Sequence, residues 1–203
     1  MTLISETINI PNCDFNSLCR LCDGSKNESC EDFHKFQFLA EKIFLNFDYI
    51  THYIYETSKS SHIPRSADAI YKNNNIIFVE IKNKKSLRNI TPKSIFEKLV
   101  DSAYTLYYFK PYFGNIAMRA FILAVSSVKT PDTSVLKNKM RNYMLAKGLC
   151  GGYVNIDKEY INNNSPFVLY GNPKLNNDFT ARVSFKIIDC KNFTADYFNA
   201  VLL

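Results

Sequence analysis

Asp68, Glu80 and Lys82 are the residues whose types and spacing could do chemistry. They lie in the stretch 67–82, Ala-Asp-Ala-Ile-Tyr-Lys-Asn-Asn-Asn-Ile-Ile-Phe-Val-Glu-Ile-Lys, which reads as a β-hairpin. Asp68 belongs to a first strand, Asn73-Asn74-Asn75 makes the turn, and residues 76–81 form an apolar second strand. Glu80 and Lys82 are two apart, so both point to one face. A strand this apolar belongs inside a sheet, where a carboxylate or an ammonium is costly unless it is paired or binds a cation. Two carboxylates on adjacent strands make a hard oxygen site suited to Mg2+ or Mn2+. A lysine beside them can orient a water or steady a developing charge.

This arrangement resembles the PD-(D/E)xK nuclease superfamily, in which an acid is followed, after a short gap, by acid-x-Lys on the next strand. Asp68 stands at the first position and Glu80-Ile81-Lys82 at the second; Ala67 replaces the nominal Pro. The resemblance implies an α/β fold with a restriction-endonuclease-like αβββαβ core, a mixed central sheet and flanking helices. It implies Mg2+- or Mn2+-dependent hydrolysis of nucleic-acid phosphodiester bonds, with DNA as the expected substrate. Asp68, Glu80 and Lys82 would be catalytic. The metal would be held by Asp68, Glu80, the carbonyl of Ile81 and a further Glu on the preceding helix, for which Glu41 is the candidate. Lys98, on the helix after the hairpin, is the residue that helix would lend to the site.

The elements that must position these residues follow from the pattern around them. Residues 31–47 have helical periodicity, with Phe33, Phe36, Ala40, Ile43, Phe44 and Phe47 on one face. Residues 50–55 read as a strand and residues 56–64 as a polar loop. Thr91-Pro92 starts a helix that runs to about Phe109, before Pro111, with Ile95, Leu99, Ala103 and Leu106 buried. Lys98 and Ser102 border that stripe. Residues 119–126 form a buried strand of the parallel kind, giving a β-α-β crossover. Residues 135–147 form a second helix rich in Lys and Arg, followed by a strand at 152–156. Residues 167–170 and 181–188 read as a C-terminal pair of strands. Asp101, Asp132 and Asp157 are far from the hairpin in sequence and take no role.

From Lys82 to Lys98, both included, the chain carries six cations and one acid, Glu97. Lys84, Lys85, Arg88 and Lys98 are therefore the candidate phosphate contacts, because the run leaves the hairpin directly. A net charge of +6 and a sequence pI near 8.9 permit a polyanionic partner. The length of 203 residues suits one domain: a Cys-rich segment at 1–30, a nuclease-like core at 31–160 and a β extension at 161–203 packed on it. Hydrophobic residues at 46% and charged ones at 22% exclude a disordered chain. No apolar run reaches the ~20 residues of a membrane span, and no signal peptide is visible at residues 1–10. A cytoplasmic location is expected, and a homodimer is compatible with the chain.

In such a compartment disulfides are disfavoured, so the six cysteines are thiols or ligands. Cys13, Cys19, Cys22 and Cys30 cluster near the N-terminus, with Cys19 and Cys22 in a C-x2-C knuckle; four thiolates could close a structural Zn2+ site. His34 could replace Cys13. An iron–sulfur cluster is the other option, although the superfamily spacing for one is not met. Two further readings remain open: a non-catalytic nucleic-acid-binding or assembly module that keeps the fold, and an RNA endonuclease using His34, similar to the cap-snatching viral enzymes.

Overall fold

The computed structural model describes residues 12–13, 44–57, 62–72, 75–83, 86–113, 117–126, 133–147 and 152–189. The described elements are β1 (Asn12–Cys13), β2 (Phe44–Asn46), α1 (Phe47–Thr57), β3 (Ala69–Lys72), β4 (Ile76–Asn83), a 3-10 turn (Leu87–Asn89), α2 (Pro92–Tyr108), α3 (Lys110–Phe113), β5 (Met118–Ser126), α4 (Ser134–Ala146), β6 (Tyr153–Asp157), α5 (Lys158–Asn164), α6 (Pro166–Leu169) and β7 (Thr180–Asp189). This is a mixed α/β architecture, with a mixed sheet flanked by helices. Among the described residues the sheet has seven strands in the order β1-β2-β3-β4-β5-β7-β6. The strands from β1 to β4 are antiparallel to their neighbours, β4, β5 and β7 run parallel, and β6 returns antiparallel at the far edge.

The parallel centre follows from composition. Ile76, Ile77, Phe78, Val79 and Ile81 of β4 are all buried, as are Phe121 to Val125 of β5, so both faces of these strands are covered. Successive side chains alternate, and Ile76, Phe78, Glu80 and Lys82 share one face. Phe78 on that face meets Phe47 of α1 edge-on, with ring centroids 4.7 Å apart. Helix α2 connects β4 to β5 and buries every residue from Leu99 to Tyr107. Thr91 and Pro92 start it as expected, although the Thr91 hydroxyl makes no capping bond.

Two expected strands are helices. Residues 50–55 lie in α1, where Phe47, Ile50, Thr51, Ile54 and Tyr55 are buried at helical spacing. Their β-branched and aromatic character favours a strand, but burial of one helical face outweighs that preference. The Asn46 Oδ1 accepts the Tyr49 N–H at 2.9 Å and caps the helix start. Residues 166–169 form α6, not a strand, because Ser165 accepts the Val168 N–H and Pro166 takes the first helical position. The helix expected over 31–47 lies outside the described residues up to 43, and Phe44–Asn46 is strand β2. The strand expected at 181–188 is β7, which sits inside the sheet between β5 and β6.

Candidate active site

The hairpin register sets the site. Ala69 pairs with Val79 across β3 and β4, and one further step puts Asp68 opposite Glu80, on the same face. The Asp68 backbone carbonyl accepts the Phe47 N–H at 3.2 Å, which anchors it to the start of α1. Its side-chain Oδ2 accepts the Ile81 N–H at 2.6 Å. That leaves Oδ1 facing the site. In a strand the N–H and C=O of one residue point to the same edge, so the Ile81 carbonyl is directed to the side where Asp68 lies.

Glu80 is completely buried at the end of the apolar face of β4. Two ammonium groups reach its carboxylate. Lys98 Nζ, from α2, lies 2.8 Å from Oε1 and 3.0 Å from Oε2, and also 3.7 Å from Asp68 Oδ1. Lys82 Nζ, from β4 itself, ion-pairs with Oε1. Both lysines therefore meet Glu80 Oε1 as charge-assisted contacts. Burial pushes the Glu80 carboxyl above its ordinary range, helped by the Asp68 charge, while Lys98 and Lys82 pull it down. Lys98 thus sits between two carboxylates at the point a cation favours, and two acids face two ammonium groups.

A second buried carboxylate supports this site from behind. Asp101 of α2 is 1% exposed. It accepts the Arg65 N–H at 3.1 Å and the Ser165 hydroxyl, so it ties the segment before Asp68 to the start of α6. One residue on, Ser102 Oγ accepts the Ala67 N–H at 2.9 Å. Asp48 of α1 holds the Ser66 hydroxyl, and Arg65 ion-pairs with Glu97 of α2. Residues 65–67 are therefore pinned from two helices, and Asp68 follows directly.

Asp101 was assigned no role from sequence, and a signal for it exists. Lys98, Asp101, Ser102 and Thr105 fall at i, i+3, i+4 and i+7, a polar stripe in a helix otherwise apolar on most sides. A polar stripe that the fold buries must have partners. Here Lys98 faces the hairpin acids, and Asp101 and Ser102 face the loop before them.

Burial pushes the Asp101 carboxyl up from the ordinary aspartate value of 3.8 to about 6, against the lowering effect of its hydrogen bonds. The folded protein then holds this proton more tightly than the unfolded chain. Its contribution to stability falls as pH rises from about 4 to 6, and the loss, about 3 kcal/mol, is complete above that window. Asp101→Asn is expected to flatten this part of the Tm-against-pH curve, since the amide does not titrate and, like the protonated acid, offers one carbonyl acceptor and one donor group. Melting curves followed by circular dichroism from pH 4 to 7 check it; identical slopes for the two proteins would show that Asp101 does not titrate there.

The structure thus brings Asp68, Glu80, Lys82 and Lys98 together. Arg88 is exposed in the turn after β4, and its carbonyl accepts from Lys139 Nζ of α4 at 2.8 Å. Lys84, Lys85, Glu41, His34, Cys19, Cys22 and Cys30 lie outside the described residues, as does the side chain of Cys13. Among the described residues no group of three or more His, Cys, Asp or Glu could hold a metal ion. The described oxygen donors for a cation are two carboxylates and a backbone carbonyl. That set fits Mg2+ or Mn2+, which are bound through one or two carboxylates and take their remaining ligands from water and phosphate. Among the described residues no helix is long and apolar enough to cross a membrane. No protein-family model, curated protein or solved structure matches the chain.

Proposed function

We propose that this chain is a divalent-metal-dependent phosphodiesterase acting on nucleic acid, DNA first, on a restriction-endonuclease-like core. One observation carries the reading. A fully buried carboxylate, Glu80, lies on the same sheet face as Asp68, and a single cationic atom, Lys98 Nζ, is in ion-pair range of both. Burying one acid beside a second, part-buried one is costly, and a carboxylate perturbed by burial and a like charge marks a candidate functional site. Such a pair is suited to a cation that changes with function.

Asp68, Glu80 and the Ile81 carbonyl would hold Mg2+ or Mn2+, which supplies Lewis-acid activation of water and stabilises charge on a phosphate. The rest falls to the chain. The Ile81 N–H fixes the Asp68 carboxylate in one orientation. The buried wall of β4 holds Glu80 and keeps the dielectric low, which strengthens every charge interaction there. Lys82, on the strand that carries Glu80, faces the reacting phosphate and offsets negative charge as it develops.

The test is incubation of the purified protein with plasmid, linear duplex, single-stranded DNA and RNA, each with Mg2+, Mn2+ or EDTA. Cleavage of at least one substrate with metal and none with EDTA is expected. Intact substrates under every condition would overturn the reading.

A second reading has an observation of its own. Two ammonium groups already balance the two carboxylates, as a non-catalytic binding module would require. Lys82→Ala separates the two. Loss of a group used mainly in the transition state lowers turnover with little change in ground-state binding. The variant is expected to bind nucleic acid nearly normally in Ca2+ and to cut about a hundredfold more slowly in Mg2+. If it cuts at the wild-type rate, Lys82 has no part in the chemistry.

A further inference from the structure

Away from the hairpin, a groove of about 710 Å3 runs between α4 and the upper half of β7. That volume is within the range of ligand-binding clefts. Lys137, Arg141 and Lys186 supply its cations, and Met144, Leu145 and Phe185 its apolar lining; among the described residues that line it there is no carboxylate. Helix α4 carries Lys137, Lys139 and Arg141 and no acid at all, and all three are exposed. Leu145 is 48% exposed, a poor position for a leucine that covers nothing. Gly152 lies at the groove with φ +73°, and a side chain there would meet open space.

We infer that this groove binds single-stranded nucleic acid. The inference rests on the phosphodiesterase reading for its ligand class, and on three features of the groove for the rest. Charge comes first: cations without acids suit a polyanion. Spacing comes next: Lys137 and Arg141 are four residues apart, so they sit on one face about 6 Å apart along the axis, close enough for neighbouring phosphates. The apolar lining decides the strandedness. A duplex hides its base faces and offers a basic helix only phosphates, whereas a single strand presents bases that pack on aromatic and apolar side chains between its phosphate contacts. Position agrees as well. Lys139 bonds the Arg88 carbonyl at 2.8 Å, so α4 stands beside the turn where the chain leaves β4. A strand leaving the site over that turn meets α4 next, with the groove on its other flank.

The experiment measures fluorescence anisotropy of one labelled oligonucleotide, single-stranded and as a duplex, in EDTA over a series of salt concentrations. Three proteins are compared: wild type, the double variant Lys137→Ala with Arg141→Ala, and Leu145→Ser; matching melting curves establish that each is folded. The double variant is expected to bind the single strand at least tenfold more weakly, with a salt slope shallower by about 1.4, or ~0.7 for each phosphate contact. Leu145→Ser is expected to weaken the single strand about fivefold with no change of slope and to leave the duplex unaffected. Unchanged single-strand affinity in the double variant, or no oligonucleotide binding by wild type, overturns the groove. Equal weakening of duplex and single strand with Leu145→Ser silent overturns the single-strand assignment. Adding Mg2+ to the same proteins keeps the two readings apart. Variants that bind weakly, in a protein that never cuts, leave the groove standing and remove the phosphodiesterase; normal binding in a protein that cuts does the reverse.

Discussion

Glu80→Gln is expected to abolish metal-dependent cleavage while leaving the protein folded. Glutamine keeps the size and packing of the side chain at a fully buried position, so no cavity forms. What changes is one unit of negative charge where a cation would be held. Losing a carboxylate ligand from such a centre removes several kcal/mol of charge stabilisation; about 4 kcal/mol corresponds to a rate lower by about a thousandfold. Stability should respond far less. Burial and Asp68 already disfavour the ionised form of Glu80 in the fold. Removing that charge strips Lys98 and Lys82 of a partner, but it also relieves a desolvation cost, and both lysines are partly exposed, so the expected loss is about 1–2 kcal/mol. Asp68→Asn should lose activity comparably. Parallel melting curves and cleavage assays decide it: a folded Glu80→Gln protein that cuts at the wild-type rate would remove Glu80 from the chemistry.

The hairpin and its acids were legible because their signals are local. An Asn-rich turn between an acid-bearing strand and the run Ile76-Ile77-Phe78-Val79 leaves little choice of structure, and a period of two puts Glu80 and Lys82 on one face. The crossover was legible for the same reason: Thr91-Pro92 marks a helix start, and the apolar run at 120–125, inside β5, reads as a central strand. Helix α1 was not, because Ile50, Thr51 and Tyr55 favour a strand locally, and only their joint burial reveals the helical period. The Asn46 cap was the missed cue. At α6 the cue was Ser165-Pro166, the same device that was recognised at Thr91-Pro92. Asp101 was harder, since its partners Arg65 and Ser165 are 36 and 64 residues away along the chain. Nothing in a linear reading joins them, although the polar stripe it shares with Lys98 and Ser102 announces that something must. The dual contact of Lys98 belongs to this class too: the sequence places it on the right helix, but only packing decides that its ammonium falls between the acids.

Lys98→Met is expected to melt lower than wild type in EDTA and to gain more from Mn2+. Methionine keeps an unbranched apolar stem along α2 and deletes the ammonium. Without it, Glu80 is left with Lys82 alone and Asp68 loses its 3.7 Å contact. Breaking a buried pair by removing one partner costs several kcal/mol; Lys82 remains and Lys98 is 22% exposed, so the expected loss is about 2 kcal/mol. A divalent cation changes the balance. In wild type it must share or displace the position held by Lys98, and that competition lowers its apparent affinity. In the variant the two carboxylates attract it unopposed. A ligand present at a hundred times its Kd stabilises the fold by about 2.7 kcal/mol, enough to restore what the substitution removed. Thermal melts against Mn2+ concentration test this without any measure of turnover, with Glu80→Gln as the control that should lose the response. Equal Mn2+ shifts in Lys98→Met and wild type would mean that the lysine does not contest the cation. A larger shift in the variant would mean that the same charge that stabilises the metal-free fold also sets how much metal the site requires.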